Sequence, residues 1–189
     1  MLTVVSDTHA TEDHRLEGRT LEAVRSADLV VHAGDFYTET VLDAFYEEAD
    51  TLRAVYGNND DSATRERLPE ERVVEYAGIR FAVTHRRRGG ATALTLFGRE
   101  RDADAVIFGH SHRPTFDDSG AIPLLNPGSH AQPRGNQPAH AELERVEDAE
   151  WVDDAAVGES DSESPALAGR LVTPDGEIFE RFRISKASS

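Results

Sequence analysis

Seven residues able to ligate metal stand in short, separate motifs: Asp7-Thr8-His9, Gly34-Asp35, Gly57-Asn58-Asn59-Asp60, Thr84-His85 and Gly109-His110-Ser111-His112. Carboxylate, imidazole and amide oxygen together suit first-row divalent cations: Mn, Fe, Zn, Co or Ni, with Mg also accommodated. Asp35 is a candidate bridge between two ions, because one carboxylate can lend charge to both. Two ions roughly 3.5–4 Å apart can activate a water between them, clamp phosphoryl oxygens and stabilise a leaving group. The chain has no cysteine, which excludes disulfides, thiolate nucleophiles, iron–sulfur clusters and thiolate zinc sites. Glycines at 34, 57 and 109 precede ligands, where tight turns or close backbone approach are needed.

Each motif directly follows a strand-like run. The runs are Leu2–Ser6, Leu29–Ala33, Leu52–Tyr56, Ile79–Thr84 and Ala105–Phe108, all rich in Val, Ile, Leu or Phe. Helical periodicity lies between them, over Arg15–Ser26, Thr40–Ala49 and Ala91–Arg101. Strand–helix alternation predicts a mostly parallel sheet in the first hundred residues. In such sheets ligands bind beyond the carboxyl ends of the strands, so the fold would gather the five motifs in one crevice. After Gly109 the pattern changes to short strands: Pro114–Phe116, Ile122–Leu125, Ala139–Leu143, Leu167–Val172 and Ile178–Ile184. Thr173-Pro174-Asp175-Gly176 marks a hairpin between the last two. These are expected in meander order, as a second sheet face. One domain spans 1–189, with an acidic, exposed insertion at about 145–166.

The ordered motif set resembles that of the calcineurin-like metallophosphoesterases. Length and spacing are most similar to their small single-domain bacterial and archaeal phosphodiesterase branch, and Asn126-Pro127-Gly128-Ser129 fits the same branch. The resemblance covers roughly residues 1–144. It implies a four-layer α/β/β/α sandwich of two mixed sheets flanked by helices, with two divalent metal ions, manganese foremost. Asp7, His9, Asp35 and His112 would hold one ion; Asp35, Asn58, His85 and His110 would hold the other. The implied reaction is hydrolysis of a small phosphodiester by in-line attack of a hydroxide held between the ions. Asp35, Asn58 and Asn59 would be catalytic, and Asn59 and Arg86 would contact phosphoryl oxygens. Homo-oligomers are implied as well, without a subunit number.

Two positions depart from the family pattern. Many relatives carry histidine where this chain has Asn59, so general-acid catalysis loses its usual residue. Relatives usually follow the strand-four histidine with glycine, whereas His85 here precedes Arg86-Arg87-Arg88. Alternatives on the same site are a phosphomonoesterase or a nucleotide pyrophosphatase. An alternative of another class is a non-catalytic scaffold, since the retromer scaffold subunit shares the fold with a degraded metal site. Ligand completeness discriminates, and all seven positions are filled here.

Blander readings apply to single residues. Asp7 and His9 alone would pass as a helix cap, and His110-Ser111-His112 as a polar turn. His32, inside an apolar run, reads as a buried, hydrogen-bonded histidine near the site. His14 and His140 read as surface residues, whereas His130, after Ser129, is a candidate to approach substrate. Ser111 sits at the third place of a nucleophile elbow, but Arg113 replaces the closing glycine, which argues against a serine hydrolase.

Composition supplies the remaining constraints. No apolar run approaches a membrane span, and Met1–Ser6 shows no basic n-region, so the cytoplasm is the expected compartment. The net charge of −16, from 36 acidic against 20 basic side chains, disfavours nucleic acid as a high-affinity partner. With Lys186 the only lysine, the balance fits a saline cytoplasm, because at molar salt the Debye length falls to about 3 Å and self-repulsion is screened. Thermal unfolding should therefore move to higher temperature as KCl rises from dilute towards molar. A midpoint that stays put or falls across the series removes the halophilic reading.

Overall fold

The computed structural model describes residues 1–149 and 164–187. Its elements, in chain order, are β1 (Leu2–Val5), α1 (Gly18–Ser26), β2 (Leu29–His32), α2 (Glu39–Glu48), β3 (Leu52–Ala54), α3 (Ser62–Arg67), β4 (Glu71–Tyr76), β5 (Ile79–Thr84), α4 (Gly90–Arg99), β6 (Ala105–Ile107), β7 (Thr115–Asp117), β8 (Leu124–Asn126), β9 (His140–Arg145), β10 (Ala166–Val172) and β11 (Ile178–Ser185). They form a six-stranded sheet, β11-β10-β9-β1-β2-β3, and a five-stranded sheet, β4-β5-β6-β8-β7. Both are mixed. β1, β2 and β3 run parallel, as do β5, β6 and β8, while β9–β11, β4 and β7 pair antiparallel.

Alternation along the strands explains the layering. Leu2, Val4, Leu29 and Val31 of the first sheet pack with Phe81, Val83, Ala105 and Ile107 of the second in a core between the sheets. The residues between them point outward. Val5 and Val30 meet Val24 of α1 and Val41, Leu42 and Phe45 of α2. Ala82 and Val106 meet Leu94 and Phe97 of α4. Successive side chains on a strand face opposite ways, so a strand covered on both sides must be apolar at nearly every position. Burying each such Val, Leu or Phe contributes about 1.5–3 kcal/mol. Four layers result: helices, sheet, sheet, helix.

Three expectations need correction. The late strands do not make a second sheet by themselves: β9–β11 extend the first sheet as a meander through β9–β1 pairing, and only β7 and β8 join the second. β4 was not foreseen. It pairs with β5 through the two-residue turn Ala77-Gly78, both residues at positive φ, an uncommon residue pair for this hairpin. α3 is short and polar, and its start is fixed by Asp61, whose side chain accepts the Thr64 N–H at 2.8 Å. The acidic segment lies largely outside the described residues, though β9 and β10, which bracket it, pair with Arg145 opposite Leu167.

The third correction concerns two histidines. His14 is largely buried, its Nδ1 accepting the Leu16 N–H at 2.9 Å. His140 is fully buried. Thr20 Oγ1 lies 3.0 Å from its Nδ1, and Glu142 Oε1 lies 2.9 Å from its Nε2. Glu142 is itself fully buried, held by Arg19 at 2.7 and 2.8 Å and by Arg170 at 2.9 and 2.5 Å. Burial opposes ionisation of Glu142, but His140 and the two guanidinium groups outweigh it and hold the carboxyl well below the usual range. Removing one partner of a buried charge cluster leaves the others uncompensated, at a cost of about 3–5 kcal/mol. Glu142→Ala should lower the urea midpoint by that equivalent with an unchanged m-value. A loss below about 1 kcal/mol, the range of an exposed pair, would show that the cluster contributes little.

Candidate metal centre

Five strand ends converge at one edge of the sandwich. Backbone bonds tie the loops of the first sheet together, with Asp7 N–H donating to Gly34 O at 2.9 Å and His9 N–H to Asp35 O at 3.0 Å. Two further bonds cross between the sheets. His110 N–H, after β6, donates to Asp7 Oδ2 after β1 at 2.9 Å, and His85 Nδ1, after β5, reaches Ala33 O after β2 at 2.8 Å. The side chains of Asp7, His9 and His112 form one group and those of Asp35, His85 and His110 another, each with its ligand atoms within 4.8 Å of one another. Asp35 Oδ2 joins the groups, lying 3.2 Å from His9 Nε2 and 3.2 Å from His85 Nε2.

The turns that achieve this are strained. Asp7, His9, Asp35, His110 and His112 all have φ between 46° and 72°, five of the ten non-glycine residues at positive φ among the described residues. Such backbone costs energy and persists where the surroundings over-determine it, often at functional sites. Two glycines show why the approach is so close. A Cβ on Gly57 would sit 2.1 Å from Asp35 Oδ1, and one on Gly109 would sit 2.0 Å from Ser6 Oγ. Neither place has room for a side chain.

The donor atoms fit a cation. Buried and without a hydrogen-bond partner are Asp7 Oδ1, His9 Nε2, Asn58 Oδ1 and His85 Nε2, four of seven such side-chain atoms among the described residues. A buried unsatisfied polar atom costs about 1–3 kcal/mol. Here four of them belong to facing ligands. The other atoms of these groups are fixed: Asp7 Oδ2 accepts from Ser6 Oγ at 2.7 Å, and His112 Nδ1 bonds Gln132 O. With Nδ1–H directed to a backbone carbonyl, His85 and His112 present the Nε2 lone pair inward, the orientation a metal-ligating histidine needs.

Charge coupling is strong without an ion. Burial alone would lower the His9 pKa, but the negative charges of Asp35 and Asp7, 3.2 and 3.7 Å from its Nε2, push it up to about 9. His85 is raised in the same way, with Asp35 outweighing burial. Burial would raise Asp35, yet His85 and His9 hold it far below the usual carboxylate range. His110 and His112 are lowered, chiefly by burial.

Supporting residues lie in motifs whose roles were not evident beforehand. The buried Asp60 carboxylate accepts three backbone N–H groups, from Asp35 at 3.2 Å, Tyr37 at 2.7 Å and Gly57 at 2.7 Å. Asn126 Nδ2 donates to Gly109 O at 2.9 Å, and Ser129 Oγ donates to Asp7 O at 2.7 Å. Arg65 Nη2 donates to Asn58 O at 2.7 Å, a contact across α3 that no motif announced.

Asn59 is exposed, its backbone N–H on Asp35 Oδ1 at 2.8 Å and its amide on Asp35 Oδ2 at 2.7 Å. Arg86 is exposed beside His85 in a cleft with Tyr56, Asn58, Arg65 and Glu70. Arg87 instead pairs with Glu71 and stacks on Phe97 at 4.3 Å. His32 is buried as expected, 2.9 Å from Thr8 Oγ1. His130 does not approach the cluster's ligands as a substrate contact. It is buried beside Phe45, 3.1 Å from His14 O, and burial pushes its pKa down to about 4.

A model of the calcineurin-like phosphoesterase superfamily domain matches residues 1–148. The chain belongs to that superfamily. A probable metallophosphoesterase of Methanocaldococcus jannaschii is 34% identical over 139 residues, covering 71% of this chain and 70% of the relative. A phosphodiesterase of the same organism is 27% identical, covering 66% and 81%. Among solved structures, a predicted phosphoesterase of Streptococcus pneumoniae superposes with TM-score 0.66 at 27% identity, over 97% of this chain and 96% of the other. Vps29 of Chaetomium thermophilum superposes with TM-score 0.72 at 15% identity, over 98% of each chain, which shows a shared fold. The superfamily assignment and the convergent ligand groups agree on metal-dependent phosphoester chemistry.

Metal needs neutral imidazole, so binding must displace the His9 proton wherever that residue is charged. Affinity for a divalent ion should therefore rise with pH up to about 9, with proton uptake by the buffer, and level off above. Calorimetry in buffers of different ionisation enthalpy counts the protons. A pH-independent affinity would contradict the His9 assignment.

Proposed function

We propose that this superfamily member is a dinuclear metal-dependent phosphodiesterase. Asp7, His9, Asp35 and His112 hold one divalent ion, and Asp35, Asn58, His85 and His110 hold the other. The observation that carries this is the set of unpartnered buried ligand atoms around Asp35, with one imidazole of each group 3.2 Å from the same oxygen. The family resemblance puts manganese first, and the nitrogen and oxygen donors also suit iron, zinc, cobalt, nickel or magnesium. Vps29 from Entamoeba histolytica has been solved in complex with zinc, in keeping with a fold that takes divalent ions. When bound, the two ions would supply Lewis acidity at phosphoryl oxygen and activate water as the nucleophile.

The chain's own residues do the rest. Asn59 holds Asp35 through one amide N–H and keeps the second for a phosphoryl oxygen. Arg86 adds a cation beside His85. An amide cannot give up a proton, so a monoester with a poor leaving group lacks the usual donor at this position, which favours the diesterase over the phosphomonoesterase reading. The complete ligand set favours an enzyme over a scaffold of the same fold. We place the protein in a saline cytoplasm, on its charge and on the absence, among the described residues, of a helix able to cross a membrane.

Asp35→Ala should remove both ions, and hydrolysis of bis(p-nitrophenyl) phosphate should fall by roughly 10³-fold or more, given the several kcal/mol that such ions supply. Asp7→Ala should empty one site first. Metal content of both purified variants decides, and full activity in Asp35→Ala ends the dinuclear proposal.

A further inference from the structure

Tyr37 stands two residues beyond Asp35 and is one of three large hydrophobic side chains exposed among the described residues, at 44%. Its φ is 102°, outside the left-handed basin and a true outlier for an aromatic residue. Three contacts hold it there. Asp60 Oδ1 accepts its N–H at 2.7 Å, Asp61 N–H donates to its carbonyl at 3.0 Å, and it forms a parallel bridge with Ala10. A strained backbone fixed from three sides thus presents a ring to solvent instead of burying it. That ring lies 5.9 Å from the imidazole of His9.

Tyr37 shares a cleft of about 360 Å³ with His9, Asn59, Gln132 and Arg134. This is within the range of small-molecule sites, which begin at about 300 Å³. Arg134 is exposed and also at positive φ, 51°, and its charge acts on His112. The cleft on the other flank offers no equivalent surface: there Arg65 covers the Tyr56 ring at 5.5 Å. Only the His9 side combines an open aromatic face with a cation and an amide.

We propose that Tyr37 is a stacking platform for an aromatic or heteroaromatic ring on the substrate's ester group, with Arg134 flanking it. Tyr37 would then select phosphodiesters that carry such a ring over purely alkyl ones. This rests on the reading of the neighbouring centre as a phosphoester site. Rings stack offset or edge-to-face on tyrosine, and such pairs are worth about 5-fold in affinity.

The test is titration calorimetry of the metal-loaded protein with phenylphosphonate, methylphosphonate and inorganic phosphate, none of which can be hydrolysed at a P–O–C bond. Phenylphosphonate should bind more tightly than methylphosphonate. Tyr37→Ala should erase about 5-fold of that advantage and leave methylphosphonate unchanged, whereas Tyr37→Phe should retain it. Tyr37→Gly, whose backbone accepts φ of 102°, removes the ring without the strain and should behave as alanine does, which keeps the test open if alanine folds poorly. Equal losses for phenyl and methyl ligands, or no loss for either, overturn the platform. Inorganic phosphate reads the underlying site separately: if it fails to bind the loaded unmodified protein, the phosphoester reading falls instead.

Discussion

One carboxylate oxygen, Asp35 Oδ2, with an imidazole nitrogen 3.2 Å away on each side, is the contact around which the molecule is arranged. Neither neighbour is aligned as a hydrogen-bond donor, since His9 Nε2 and His85 Nε2 both remain unpartnered. The carboxylate is buried at 1% exposure, where an isolated negative charge is very costly. Positive charge must therefore sit beside it. The carboxylate's charge raises the pKa of both imidazoles against the opposing effect of burial. A divalent ion supplies that positive charge with ligand geometry that needs no donor hydrogens.

The two sheets divide the ligands between them. Asp7, His9, Asp35 and Asn58 follow strands of the first sheet, and His85, His110 and His112 follow strands of the second. The cross-sheet bonds from His110 N to Asp7 and from His85 to Ala33 set the spacing. Left-handed turns then point the side chains inward. Their strain is offset by the cores on either side of each sheet, and Asp60 distributes the load by holding Asp35, Tyr37 and Gly57 at once.

Much of this was legible because strand ends are. Apolar runs that stop at Asp7, Asp35, Asn58, His85 and His110 give both the parallel sheet and the crevice, and His32 was readable from its apolar neighbours. What escaped depends on partners distant in sequence. His140 looks like a surface residue until Thr20, 120 residues away, meets its ring, and until Arg19 and Arg170, 123 and 28 residues from Glu142, close on the carboxylate beside it. β4 escaped because Glu71, Arg72 and Glu75 give it the charged pattern of an edge strand, and Ala77-Gly78 is a weak hairpin signal. The meander's sheet was misassigned because β9 pairs with β1 through contacts such as Leu2 with Leu143, far apart in the chain, and no local pattern encodes it. Asp60 was visible but had no role until the backbone groups it binds were placed.

Asn59 shows how positioning and proton transfer compete at one residue. The family resemblance puts histidine there, and a histidine this close would add a third titratable ring to His9 and His85 around a single carboxylate. A neutral side-chain amide holds Asp35 Oδ2 by one bond at any pH, beside the backbone N–H on Oδ1, and leaves the charge of the cluster unchanged. What it gives up is a proton for the departing oxygen. On the proposed reading, that loss is tolerable where the leaving group is already acidic, as a phenol is compared with an alkyl alcohol. An open aromatic face at Tyr37, in the same cleft as Asn59, suits esters of that kind. The two departures from a general-purpose site then have one physical origin: a centre that fixes its carboxylate firmly must rely on the chemistry of the ester to complete the reaction.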